Sequence, residues 1–327
     1  MTTHEREITS SVDLCLPDGR LNPDAVGWTR TPLHRANLRG WGRTKRWEYW
    51  GVTTPTHVVG IVASSIDYAG VHGLYVLDRA TGEETVTDVV VPLARGVLMP
   101  GRSGVGRVGA RAKDLAIVIE QRPGSTRIRA ASRDVSLDLT VPLPPGHESL
   151  GVVVPWSDRL FQYTVKDVAR PVHGALTVRG TRHDVSADDS FAVLDHGRGR
   201  WPYAMTWNWA AGSGHGRGIQ LGGGWTDGTG ATENALLVDG RIHKIGATLD
   251  WTYDRTDWLA PWHVSGDGVE AVFTPFHERV ARTELLVVGS ETHQCFGTWS
   301  GHARTDEGAW VDLDGLVGWA EEARQRW

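Results

Sequence analysis

Cysteine is almost missing from this chain of 327 residues: Cys15 and Cys295 are the only two. Two thiols so far apart make no disulfide framework, and no apolar run opens the sequence as a signal peptide would, so the reading is of a cytoplasmic protein. Long apolar runs are lacking throughout. None approaches the roughly eighteen consecutive apolar residues of a spanning helix, which excludes an integral helical membrane protein. A basic tract is lacking as well. Lys and Arg total 34 against 39 Asp and Glu, giving a formal net charge of -5 at pH 7, so nucleic acid is not expected as a partner.

Several motifs that announce chemistry are also absent. The 14 His residues include no HExxH and no His-x-His, so no metal or other cofactor is expected. A site built by His243, His277 and His293 from separate strands stays open as an alternative, because spacing is uninformative for ligands on different strands. Ser213 lies in GSGHG rather than GxSxG, which argues against a serine hydrolase. Gly104-Val-Gly106-Arg-Val-Gly109 spells GxGxxG. It follows a Pro-Gly-Arg-Ser loop and enters a β-type run, so it reads as a hairpin or barrel-mouth loop and not as a dinucleotide site.

Helical periodicity is scarce, and period-2 runs fill the chain. THVVGIVASS, HGLYVLD, KDLAIVIEQR and TELLVVGSETHQCFGTW alternate or run apolar between turn signals such as Thr81-Gly82 and Pro123-Gly124, the pattern of an all-β protein made of barrels or sandwiches. ALLVDGRIHKI reads as a hairpin turning at Asp239-Gly240. The expected exception is the tail, DLDGLVGWAEEARQRW, where Leu316, Val317, Trp319, Ala320 and Ala323 fall roughly on one helical face behind Asp314 as N-cap, predicting a short C-terminal helix. Length favours two domains. The boundary is placed near Ser186, giving residues 1–185 and a Trp-rich 186–327.

Of the 16 Trp residues, eleven fall between Trp201 and Trp327. Trp buries a large apolar area while keeping an N–H donor, which suits sheet cores or the walls of an apolar cavity. The stretch LDHGRGRWPYAMTWNWAAGSG places Asp195 and His196 next to this aromatic material. On a strand Asp195 shares a face with Phe191 and Val193 and His196 points the other way, so a literal Asp195–His196 dyad would need a bulge at Gly197. Two readings of Asp195 stand. In one it is desolvated among Trp207, Trp209 and Trp225 and protonates an alkene, aromatic faces steadying the cation. In the other it pairs with Arg198 or Arg200 and the Trp side chains are core.

GRLNPDAVGWTRTPLHRANL, GRTKRWEYWGVTTP, LDHGRGRWPY, WTDGTGATENALLVDGRIHKIG, WTYDRTDW and LVGWAEE together resemble the family known as domain of unknown function 2804, over nearly the whole chain. More remotely the chain is similar to two-domain lipocalin-like proteins that include carotenoid 1,2-hydratase, AttH-type proteins and pericyclases. That resemblance implies two lipocalin-like antiparallel β-barrel domains around a ligand cavity. It also sets Asp195-His196 beside the Asp-His of the hydratase signature, with Gly197 here in place of Asn.

The resulting expectation is a cofactor-independent hydratase, isomerase or cyclase acting on a terpenoid- or polyketide-like molecule. Asp195 is the expected acid. Tyr203, Glu233 and Asn234 would orient water or substrate, and His196, Arg200, Trp201, Trp207, Trp209, Trp225 and Tyr68 would contact it. The competing class is a carrier of a lipid or pigment with the same cavity and no chemistry.

Overall fold

The computed structural model describes residues 3–285 and 288–326, with the side chains of 284, 285 and 288 left aside. Strands dominate it, and among the described residues the only helical turn is the 3-10 segment Pro23–Ala25. The chain divides into two compact units, Ile8–Trp201 and a second formed by the N-terminal residues up to Glu7 with Pro202–Trp327. The division therefore lies after Trp201 and not near Ser186, because strand Phe191–Arg200 is hydrogen-bonded between Phe161–Pro171 and Thr44–Thr53 of the first unit.

The first unit is built from an eight-stranded and a six-stranded antiparallel sheet. The larger runs in the order Trp28–Thr29, Leu150–Pro155, Phe161–Pro171, Phe191–Arg200, Thr44–Thr53, His57–Ser65, Ala69–Asp78 and Glu84–Pro92. Alternation decides which face each residue uses. In Leu115–Arg122 of the smaller sheet, Leu115, Ile117 and Ile119 are buried while Ala116, Val118 and Glu120 are less so. These three enter one core with Trp50, Val52, Ile61, Leu74, Ile128, Leu139 and Leu194 from both sheets, each fully buried aliphatic contributing about 1.5–3 kcal/mol. The N-terminal residues Leu14, Cys15, Leu21 and Ala25 close over Val153, Phe161, Tyr163 and Val165.

The second unit is one ten-stranded sheet whose central strands are Ala204–Gly214, Val317–Arg326 and Val288–Arg304. Both units are curled antiparallel sheets of the lipocalin type. The tail that reads as a helix is thus a strand. Six consecutive residues from Gly318 to Ala323 are buried, as in a strand covered on both faces, and Ala211 O occupies the place of a Cβ at Gly318. Asp314, the expected N-cap, instead accepts the Gly301 N–H at 2.9 Å. The Asp239-Gly240 hairpin forms as read, both residues at positive φ (47° and 83°) between Asn234–Val238 and Arg241–Ile245, the signature of a type I′ turn.

Candidate functional site

Across the inward face of the first unit runs one row of cross-strand neighbours: Val165, His196, Glu48, Ala63, His72 and Val89. The next row inward is apolar, Leu194, Trp50, Ile61 and Leu74. On the other side lies the row Tyr163, Arg198, Arg46, Ser65 and Gly70. The segment 93–105 covers this end, since Pro100 O accepts from Arg198 Nε and Nη2 (3.4 and 3.3 Å) and Val97 lies against Gly70.

Charge buried in this row is paired. Glu48 and His196 are fully buried, with Nδ1 and Oε2 2.7 Å apart. Gln121 Nε2, reaching across from the smaller sheet, donates to Glu48 Oε1, and Arg198 Nη2 stands 3.6 Å from Oε2. Arg198 also donates to Trp47 O (2.6 Å) and Gly197 O (2.8 Å). Burial pulls its value down to about 10, so it stays a cation at neutral pH.

Glu48 is surrounded by donors and acts only as an acceptor, which fixes the proton of His196 on Nδ1. Burial and the Arg198 charge then lower the His196 pKa and keep the ring neutral. Its Nε2, buried and without a protein partner, is a lone pair facing the interior. Carboxylate, oriented imidazole and free ring nitrogen are the parts of a general base.

Asp195 faces the other way. Lys166 Nζ is 3.0 Å from its Oδ1 and Thr164 Oγ1 donates to the same oxygen at 3.2 Å, with Tyr49 opposite it in register. The partner is thus Lys166 and neither Arg198 nor Arg200, and two donors aimed at Oδ1 suit a carboxylate rather than a proton-delivering acid. Trp207, Trp209, Trp225, Glu233 and Asn234 belong to the second unit, Asp195 to the first.

The remaining candidates are mostly tied down. Glu233 Oε1 accepts from Trp225 Nε1 at 2.6 Å, Asn234 bridges Gly222 N and Ala247 O, and Trp209 Nε1 donates to Gln220. Trp207 is part-buried and Tyr203 is 47% exposed. In the first unit Trp201 Nε1 donates to Gln162 (2.8 Å) and meets Trp47 and Trp156 edge-on. Arg200 lies over Gly40. Tyr68 accepts from Lys45 Nζ at 3.4 Å, the lysine lowered to about 8 by burial.

His243 pairs with Asp306 and His293 with Glu278 and Glu291. Among the described residues no three His, Cys, Asp or Glu side chains converge as metal ligands, so the three-His alternative finds no assembled site. Of the groups that do assemble, the sequence reading contained His196 as a substrate contact and Arg198 only as a partner for Asp195. Glu48 and Gln121 escaped it. The available signal was a lone acid in the aromatic strand RWEYW and a lone Gln at the end of LAIVIEQ.

No curated protein matches the chain in sequence. Solved structures do match in fold: a protein assigned as AttH from Nitrosomonas europaea (TM-score 0.54, 12% identity, 86% of this chain and 92% of that one) and kievitone hydratase from Nectria haematococca (TM-score 0.52, 12% identity, 88% and 89%). In sequence the family model described as a domain of unknown function, DUF2804, matches residues 5–327, and the chain belongs to that family.

Proposed function

We propose that the protein is a hydratase-type enzyme that adds water to, or removes it from, a hydrophobic small molecule held inside the first unit, with His196 as the general base and Glu48 orienting it. The observation that carries this reading is the buried His196 Nε2, free of any protein partner, behind an Nδ1 committed to Glu48. The apolar row of Leu194, Trp50, Ile61 and Leu74 beside it, part of the core between the two sheets, keeps the base out of bulk water. The fold shared with a kievitone hydratase agrees with this class. Asp195 is assigned a structural part on the other face.

The test is turnover of hydrophobic alkenes and the matching alcohols in ¹⁸O-labelled water, followed by mass spectrometry. His196→Gln should lower kcat by about 100- to 10,000-fold, the usual contribution of a positioned base, and Glu48→Gln should cost a similar factor by losing the tautomer. Binding of the same compounds with no label incorporated would identify a carrier and end the catalytic reading.

A further inference from the structure

The loops at one end of the first unit share a character that the buried His196 row does not explain. Strands Thr44–Thr53 and Ala69–Asp78 begin there, and His57–Ser65 and Glu84–Pro92 finish there. Segments 36–43 and 93–105 cap this end. The Ala36 N–H donates to Gly101 O at 2.7 Å and ties the two together. Both also hold to the turn at 66–68, through the Leu93 N–H on Tyr68 O (2.8 Å) and the Gly42 N–H on Asp67 Oδ2 (2.6 Å). Met99 packs against the core beneath, so these loops form a fixed surface.

Two properties meet on that surface. Among the described residues six large apolar side chains are more than half exposed, and five of them, Trp41, Val90, Leu93, Leu98 and Val105, lie on or beside these segments, Trp41 leading at 67%. Trp41 stands between Gly40 and Gly42, at φ 91° and 90°, a left-handed conformation that glycine enters freely. The second property is charge. Stretches 36–45 and 93–107 hold Arg39, Arg43, Lys45, Arg95, Arg102 and Arg107 and no Asp or Glu, in a chain of net charge -5. Arg39, Arg43 and Arg95 are exposed and make no ion pair among the described residues. The acids nearby are engaged: Asp67 by Gly42, Thr44 and Arg46, Asp13 by Arg35, and Asp18 and Asp158 by Arg20.

Single exposed apolar groups need no explanation, but a group of them at one end of a unit does. Here they alternate along the loops with unopposed guanidinium groups. An anionic polymer would engage the arginines and leave Val90, Leu93 and Leu98 in water. A lipid surface uses both, because indole and aliphatic side chains enter the headgroup layer while cations stay level with the phosphates. We propose that this end of the first unit docks on an anionic lipid surface, with Trp41 and Leu98 entering the headgroup layer and Arg39, Arg43 and Arg95 facing lipid phosphates. The assignment is independent of the chemistry given to His196.

The experiment uses the full chain with vesicles of phosphatidylcholine containing about 30% phosphatidylserine, against phosphatidylcholine alone. Cosedimentation should show binding to the anionic vesicles only, reversed at ~1 M salt, where charge is screened within about 3 Å. Arg43→Ala combined with Arg95→Ala should weaken binding about 25-fold, or about five-fold for each cation. Trp41→Ser should weaken it about tenfold or more. Cys15 and Cys295 are buried, so a thiol introduced by Leu98→Cys can carry an environment-sensitive dye, whose emission should blue-shift on the anionic vesicles. The same dye at Thr81→Cys, on the exposed turn at the opposite end of these strands, should not respond. A response at Thr81→Cys and none at Leu98→Cys would overturn the choice of face. Equal binding to neutral vesicles, or binding to neither, refutes the proposal. Retention on heparin without vesicle binding refutes it as well, by giving the arginines to a soluble polyanion.

Discussion

Neighbouring residues of a strand project to opposite faces, and Asp195 and His196 use that alternation to serve two separate environments. His196 meets Glu48 inside the first unit, and Asp195 meets Lys166 outside that row. The alternation itself was readable from the sequence, which already argued against an Asp-His dyad. The partners were not, because Glu48 is 148 residues away in the chain and only strand order brings it alongside. The Asp195–Lys166 pair, with side chains 12% and 5% exposed, predicts a structural phenotype. Asp195→Asn removes a carboxylate that meets the buried Lys166 ammonium, so it should destabilise the protein by about 3 kcal/mol while kcat stays within a few-fold of wild type. Denaturant melts beside turnover assays check this, and loss of turnover at unchanged stability would restore Asp195 as the acid.

Among elements, the tail is where local preference and tertiary packing disagree. AEEARQR is good helix material, yet Val317–Arg326 pairs on both edges, with Ala204–Gly214 and Val288–Arg304. Propensity yields to the burial of a central strand, and the informative residue is Gly318, whose missing side chain lets the Ala211 carbonyl approach. Gly318→Ala should therefore lose about 3 kcal/mol or more by forcing two strands apart, seen as a fall in Tm of several degrees. An unchanged Tm would mean the strands relax freely there. Turn chemistry was more legible than the tail, because Asp239-Gly240 carries its geometry locally. The Pro-rich stretch at 141–150 was legible as an interruption only. What ties it down comes from another strand: Arg170 donates to Pro142 O and Val141 O, and Asp167 joins Arg170 to His147.

At the scale of the whole molecule, strand content and the all-β class followed from alternation along the chain, whereas the division after Trp201 depended on which sheet strand Phe191–Arg200 joins. The same burial that shapes the candidate site sets the acid response of the fold. His34, His72 and His196 are buried, and each has its pKa lowered by burial, His34 to about 4. An unfolded His takes up its proton near pH 6.5, so below that the unfolded chain binds more protons than the folded one. Stability is then fully present above about pH 6.5 and falls as pH drops toward the folded values, His34 alone removing ~3 kcal/mol by pH 4. Buried Asp167, whose value is lowered by Arg170 and His147 against the opposing effect of burial, acts in a different window. Its stabilisation persists above the unfolded Asp value near 3.9 and is lost only as pH falls through its lower folded value. Unfolding free energies measured at pH 7, 6 and 5 should therefore decline before carboxylates titrate. His34→Gln, which keeps a donor for the Ala25 carbonyl now bonded at 2.8 Å, should flatten that decline. A wild-type curve that is level from pH 7 to 5 would show these imidazoles to be accessible to protons in the folded state, and with them the His196 base.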